Sequence, residues 1–535
     1  MKLLIFYTAT LTFLVLFCFA FKQLLRLLRG IRIGFLILLL AILLILSLGY
    51  WNYVPAVHRI YGDEPNLLTD ALSFESQTRY DDEFFVFIYY NLYKHVSPDN
   101  MLAIRLNTIM SVGCLLLLFV LLYLLFQREV IGIAGVLALA SAEAFIVQST
   151  NSYTIIPSLL FALLSSIFFW CFLKTDNLLF SILTLFSLLF ATMIRTEFFA
   201  IIAVYFLFLL ISKTEKIQLK KINIVYWIKA LWPWILTLPP FVYFFLLKAI
   251  ESKMYVYEGS STLVYGFGQF FPTLLDYFIP TIGKHAFFLF GIFLALSILW
   301  IRKVEKWREI FFLLLIPLPI TLFYLLNSYY APHFKIVLLA YYSFVWGIPF
   351  EHLREMMPVK VRVGLWIVFI LYFFLSFFAN VTSINAWTDS KFGYMHLSTL
   401  SPKIVHSYAN QSCLIITPYA PNLQMGFYNH AKNANEIIAD PSQVKRYPCL
   451  YFFEDYLCMY SREKTGMMED CLEIRDKFDL TPVLVITDNR MNYTLYEMYD
   501  KGLSKNATAP PLRVHVDSSR KINQLKKIPF LSRFR

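Results

Sequence analysis

Apolar runs long enough to cross a bilayer recur along the first three-quarters of this chain, and no other feature limits its fold so strongly. They fall at about 3–21, 33–49, 104–126, 130–147, 155–173, 178–194, 198–211, 230–247, 286–301, 310–326, 336–350 and 363–378. Most approach the ~20 residues that a helix needs to span a hydrocarbon core. Backbone polar groups find no water there, so each run must close its own hydrogen bonds as a helix. A chain of 535 residues that is 59% hydrophobic and only 15% charged is not a soluble globule. The expectation is a polytopic α-helical membrane protein with about 12 transmembrane helices.

The net charge of +12 is distributed as the positive-inside rule requires, and does not mark a nucleic-acid binder. Lys22, Arg26, Arg29 and Arg32 stand together without an acid, and Lys213, Lys216, Lys220, Lys221 and Lys229 face only Glu215. Arg302, Lys303, Lys306 and Arg308 form a third basic group, and Arg354, Lys360 and Arg362 a fourth. The loop 51–103 is the reverse, with Asp63, Glu64, Asp70, Glu75, Asp81, Asp82, Glu83 and Asp99 against Arg59, Arg79 and Lys94. That loop belongs on the extracytoplasmic side. Cleavage of 1–21 as a signal peptide would leave the basic stretch 22–32 outside, so the first run reads as a retained helix.

The composition changes near residue 380. Short strand-like runs such as 413–417 and 482–487 alternate with helical stretches such as 462–478, which predicts a small external α/β domain over 381–535. Residues 1–380 then form the transmembrane domain. Cys18, Cys114 and Cys171 lie in apolar runs, whereas Cys413, Cys449, Cys458 and Cys471 all fall in the tail. An even set in an oxidising compartment suits two disulfides, with three pairings open. Zinc is the rival use of four cysteines, although no CxxC pair is present. Acceptor patterns for N-glycosylation occur at Asn380, Asn410, Asn492 and Asn506. The basic end 520–535 reads as a frayed tail that could lie on anionic headgroups.

Polar residues near the external ends of the spans are the candidates for chemistry, because ionisable groups at membrane depth are costly to keep. Gly62-Asp63-Glu64-Pro65 sets two carboxylates at the head of the first external loop, where Asp63 could equally cap a helix begun by Pro65. Arg105 opens the returning span, where an arginine can also snorkel. Asn151 and Tyr153 lie in the next external turn, and Glu143 within the span before it. Arg195 and Glu197 form a tight hairpin, and His333 and Lys335 a late aromatic turn.

This pattern resembles the GT-C superfamily of membrane glycosyltransferases, in the branch that includes protein O-mannosyltransferases and the lipid A aminoarabinose transferase. Gly62-Asp63-Glu64-Pro65 is similar to the family's Asp-Glu pair, Leu102-Ala-Ile-Arg105-Leu106 to its Arg-Leu, and Ala191-Thr-Met-Ile-Arg195-Thr-Glu197 to its Arg-x-Glu. Pro332-His333-Phe-Lys335 occupies the place of a late Arg-Tyr turn. The departures are local. Tyr80-Asp81-Asp82-Glu83 lacks the lysine that contacts donor phosphate in many relatives, and the second external turn has Asn151 and Tyr153 where relatives have an Asp. No Trp-Trp-Asp-Tyr-Gly element occurs in the tail, unlike oligosaccharyltransferase.

The resemblance implies a GT-C-like fold and transfer of a sugar, hexosyl or pentosyl, from a polyprenyl- or dolichyl-phosphate donor. The acceptor, a glycan, lipid or protein, would be met on the extracytoplasmic side of a plasma or inner membrane, or in an ER lumen. In that scheme Asp63 is the general base of an inverting attack and Glu64 orients it or holds the acceptor. Arg105, Arg195, His333 and Lys335 bind the donor phosphate, with Glu197, Glu143, Asn151 and Tyr153 in support. No cofactor is required, and a divalent metal is admissible. A transporter or flippase for a lipid-linked or anionic solute is the competing class, favoured by Glu143 and by the prolines at 239, 240, 317 and 319. A non-catalytic assembly factor would leave the Asp-Glu loop without a role.

Overall fold

The computed structural model describes residues 2–52, 83–96, 100–151, 153–216, 306–326, 335–409, 412–418, 420, 423, 430–455, 458, 467–487, 492–501 and 510–515. Asp63, Glu64, Asp81, Asp82, His333 and the expected spans 230–247 and 286–301 lie outside the described residues. The chain divides into two compact units, with the boundary at Thr382 and Ser383.

The first unit is helical. Its elements are α1 (Lys2–Leu27), α2 (Ile33–Asn52), α3 (Glu83–His95), α4 (Asn100–Phe126), α5 (Glu129–Ser141), α6 (Glu143–Ser149), α7 (Ile155–Thr175) and α8 (Leu178–Ile194). A 3-10 turn (Thr196–Ala200), α9 (Ile201–Lys216), α10 (Trp307–Leu315), α11 (Pro317–Leu326), α12 (Lys335–Tyr342) and α13 (Phe344–Met356) follow. The long α14 (Val359–Tyr408) begins in this unit. Among the described residues, six helices are long and apolar enough to cross a membrane, or up to seven if the bent pair α5–α6 is one span. The expected span 198–211 begins as the 3-10 turn, and 310–326 is divided at Pro317, which lacks the N–H to continue a helix.

Burial sorts these helices into inner and outer. In α4, α7 and the α12–α13 pair, most of the apolar window is buried, whereas in α1 and α14 only 17% is. Leu4, Ile33, Leu44, Val363 and Val368 point outward, as lipid-facing side chains do. The inner helices pack closely because small residues sit at the crossings. A Cβ placed on Gly347 in α13 would lie 2.7 Å from Ile131 Cα and 2.8 Å from its carbonyl oxygen, which is backbone of α5. Within the core, Ser166 of α7 lies 3.0 Å from the Tyr205 hydroxyl and 2.8 Å from that of Tyr341. These bonds satisfy two buried phenols and tie α7 to α9 and α12.

One end of this unit carries the paired charges. Arg32 Nε meets Glu129 at 3.0 Å, and the fully buried Glu351 accepts two bonds from Arg354, at 2.6 and 2.8 Å. Arg128 reaches Glu355 at 3.4 Å. Lys306 pairs with Glu309 at 2.9 Å. Arg32, Lys306 and Arg354 belong to the basic groups noted in the sequence, and the acids beside them neutralise them.

The expected span 130–147 is not one helix. The chain bends by 73° between α5 and α6, at Ala142. A helix end leaves four carbonyls without intrahelical partners, and here each has one. Ala138 accepts from the Ser141 hydroxyl at 3.2 Å, and Leu139 from the Ala142 N–H at 3.1 Å. Ala140 accepts from the Tyr50 hydroxyl at 2.8 Å, and Ser141 from the Asn380 amide at 2.7 Å. Tyr50 also packs against Phe377 in α14, with ring centroids 5.6 Å apart. Glu143 stands at this break as the exposed first residue of α6, where its charge suits the helix start. Asn380, within α14, commits its amide nitrogen to the break.

The second unit is a six-stranded mixed sheet in the order β2-β1-β3-β5-β4-β6. Its strands are β1 (Leu414–Thr417), β2 (Ala431–Asn433), β3 (Leu450–Glu454), β4 (Phe478–Thr487), β5 (Asn492–Asp500) and β6 (Leu512–His515). β1 runs parallel to β2 and β3, whereas β5 is antiparallel to both β3 and β4. Alternation in β1 sends Ile415 to one core and Leu414 and Ile416 to the other, so both faces are covered. α15 (Ala434–Ala439) and α16 (Met467–Lys477) supply the second core. The helix expected over 462–478 yields to strand at Phe478, whose side chain joins that core.

Cys413 pairs with Cys449 and Cys458 with Cys471, at Cα separations of 4.7 and 5.8 Å. The four tail cysteines are therefore disulfides and not a zinc site. The first bridge ties the residue before β1 to the residue before β3.

Three outcomes follow for stability. Gly347→Ala should cost about 1–3 kcal/mol by overpacking, read as a lower Tm in detergent. Gly364→Ala, where a Cβ meets nothing within 4 Å, should be neutral or slightly stabilising. Tyr50→Phe and Asn380→Ala each strand a buried carbonyl and should each cost about 1–3 kcal/mol; no loss in either would remove the capping account of the break. Cys449→Ser should destabilise the second unit by about 2–5 kcal/mol, and unreduced protein should show no free thiol at its four cysteines by mass spectrometry.

Candidate active site

The expected site residues within the described chain gather at the end of the helical unit opposite the paired charges. α4 shows the polarity, since Arg105 is near its start while Phe126, at its finish, adjoins Arg128 and Glu129. α12–α13 shows it again: Lys335 opens the pair, and Glu351 and Arg354 lie near its finish.

Arg195 is the best-defined of these residues. It ends α8 in extended backbone at φ −147°, and the chain turns at once into the 3-10 segment. Its Nη1 donates to the Thr154 hydroxyl at 2.9 Å and to the Tyr153 hydroxyl at 3.3 Å. Its Nε donates to Glu197 Oε1, and the guanidinium carbon stands 5.5 Å from the centre of the Tyr153 ring. The guanidinium is 15% exposed and the carboxylate 7%. Arginine suits this place because its donors fan out in a fixed plane, and lysine could not serve three acceptors in that geometry.

The acceptors sit on the short connection between α6 and α7, which is itself tightly tied. Asn151 donates to Gln148 Oε1 at 2.9 Å, and its own Oδ1 accepts from the Tyr153 N–H at 3.2 Å. This is the local side-chain turn that Asn favours. From α4, the Asn107 amide donates to the carbonyls of Gln148 at 3.0 Å and Asn151 at 2.6 Å, while Thr108 donates to that of Ser149 at 2.9 Å.

The other predicted residues stand on separate elements. Arg105 lies over the Trp51 ring at 4.1 Å and donates to the Trp51 carbonyl at 2.8 Å, so it closes the finish of α2, where a cation is favourable. Lys335 is buried at the first position of α12, where a positive charge opposes the helix dipole. Glu143 stands exposed at the α5–α6 break. The structure thus brings together Arg195, Glu197, Tyr153 and Asn151. Sequence reading missed Thr154, Gln148, Asn107 and Thr108. The signal for the last two was present, since Asn107, Thr108 and Ser111 interrupt an otherwise apolar span on neighbouring helical positions.

Chemically, the arrangement holds a positive charge in a mostly buried frame that includes the Tyr153 and Thr154 hydroxyls and the Glu197 carboxylate. Such a group can meet an anion by charge-assisted hydrogen bonds at low reorganisation cost. Among the described residues, no cluster of three or more His, Cys, Asp or Glu could hold a metal.

No family model matches the chain, and no curated protein matches it in sequence. Its fold, however, is found among solved structures. ArnT from Cupriavidus metallidurans bound to undecaprenyl phosphate matches with a TM-score of 0.56 at 10% identity, over 87% of this chain and 98% of that one. The same protein in the apo state matches with a TM-score of 0.54, also at 10% identity and with the same coverage. The chain is thus similar to ArnT in fold, with a largely helical unit of long apolar helices and a C-terminal mixed sheet that follow the ArnT topology in outline.

Proposed function

We propose that this protein transfers a sugar from a polyprenyl-phosphate donor to an acceptor at the extracytoplasmic face of a membrane. The observation that carries the reading is the match to nearly the whole of ArnT, a protein captured with undecaprenyl phosphate. The Arg195 frame gives a lipid-linked phosphate a cationic partner at one end of the bundle, where a donor's headgroup would emerge from the hydrocarbon. On this reading Arg195, with Arg105, His333 and Lys335, neutralises the phosphate as it departs. Glu197 and Tyr153 hold Arg195 in place, with Asn151 and Glu143 in support.

Asp63 is the general base of the reaction, and Glu64 orients it. A base on the face opposite the departing phosphate takes the acceptor's hydroxyl proton while the new glycosidic bond forms, so the anomeric centre inverts. The acidic loop 51–103 and the second unit are extracytoplasmic. The chemistry requires no metal, since cationic side chains supply the charge that a divalent ion would.

The break between α5 and α6 is the feature that most invites a transport reading, because unwound helices often line ion or solute sites. Its four freed carbonyls each accept a hydrogen bond from a protein donor, so the break is stabilised within the protein without a bound ion.

The test is transfer of radiolabelled sugar from a polyprenyl-phosphate donor to extracted envelope by purified protein. Asp63→Asn should lower the rate by about 10²–10⁴-fold with unchanged expression and membrane insertion. Glu64→Gln should be impaired to a lesser degree. Full activity in a folded Asp63→Asn protein would return the loop to a helix-capping turn, since Asn caps as well as Asp.

A further inference from the structure

The structure assigns Asn107 as the positioning residue that sets the Arg195 guanidinium, acting from α4 through the α6–α7 connection. Asn107 is fully buried in an apolar helix. Both hydrogens of its amide are used, one toward the Gln148 carbonyl at 3.0 Å and one toward the Asn151 carbonyl at 2.6 Å. Those carbonyls lie three residues apart, so a single planar group fixes the spacing across the turn. Thr108, the next residue, holds the Ser149 carbonyl between them at 2.9 Å.

The clamped turn leads directly to the residues that hold Arg195. Asn151 fixes the Tyr153 N–H at 3.2 Å, and Tyr153 and Thr154 accept from Arg195 Nη1 at 3.3 and 2.9 Å. Hydrogen bonds therefore link α4 to Gln148 and Asn151, Asn151 to Tyr153, and Tyr153 and Thr154 to the guanidinium.

The same side chain is costly in another respect. Asn107 Oδ1 is buried and accepts no hydrogen bond among the described residues, and a buried acceptor without a partner is destabilising. An apolar residue at this position would avoid that cost at the expense of leaving the two carbonyls without the donor. The geometry points to a clamp retained for where it places the turn.

The role given to Arg195 as a phosphate partner rests on the function proposed above, whereas the positioning is tested without it. Full-length protein in detergent is treated with phenylglyoxal, and modification of each arginine is followed by peptide mass spectrometry. Asn107→Leu should raise the rate at Arg195 about tenfold, the weight of one or two lost hydrogen bonds. Arg354, paired with the buried Glu351 at the other end, should not change. Thr108→Val removes only one of the three bonds to the turn and should give a smaller rise in a less perturbed protein, which covers the case in which Asn107→Leu does not fold. An unchanged Arg195, or an equal rise at Arg195 and Arg354, would overturn the assignment. Affinity for undecaprenyl phosphate, measured on the same samples, should fall with the rise at Arg195. Absence of binding by the parent protein would contradict the proposed function, and the arginine measurement would still decide the role of Asn107.

Discussion

The four carbonyls that finish α5 govern much of how the helical unit is arranged. In an apolar bundle none can be left to water, and only two find partners within their own turn. The other two require Tyr50 from α2 and Asn380 from α14, so these helices must pass close to the break at a defined height. Once the chain has bent there, α6 carries it into the connection that meets Asn107 and Thr108 of α4. The polar turn, and with it the frame around Arg195, thus depends on a single interruption of one apolar run.

The two ends of the unit use charge differently. At one, Arg32, Arg128 and Arg354 face Glu129, Glu355 and Glu351, and the pairing neutralises ions where helices meet. Buried Glu351 is tolerable because Arg354 meets it with two bonds. At the other end Arg195 bonds to the Glu197 carboxylate and to the Tyr153 and Thr154 hydroxyls, which hold its guanidinium in place. On the proposed reading the lipid phosphate meets that end.

Much of the architecture was legible in the sequence because hydrocarbon leaves few options. Apolar runs marked helices, the change near residue 380 marked a different composition, and four tail cysteines marked disulfides whose pairing only the fold could choose. The break at Ala142 was not legible. The run 130–147 contains no Pro or charged breaker before Glu143, and the caps that stabilise the bend come from residues about 90 and 240 positions away. Arg195, Glu197 and Tyr153 were found because polar residues stand out at membrane depth. Asn107 and Thr108 are equally conspicuous in α4, but their role lies in contacts that spacing alone does not reveal.

Photo-crosslinking tests the central claim most directly. Purified full-length protein would be irradiated with an undecaprenyl phosphate analogue that carries a photoreactive group beside the phosphate, and the labelled peptides identified. The account predicts label on segments around Arg105, Tyr153, Arg195 and Lys335, reduced by excess undecaprenyl phosphate. Label confined to the opposite end, around Arg128, Glu351 and Arg354, would contradict it.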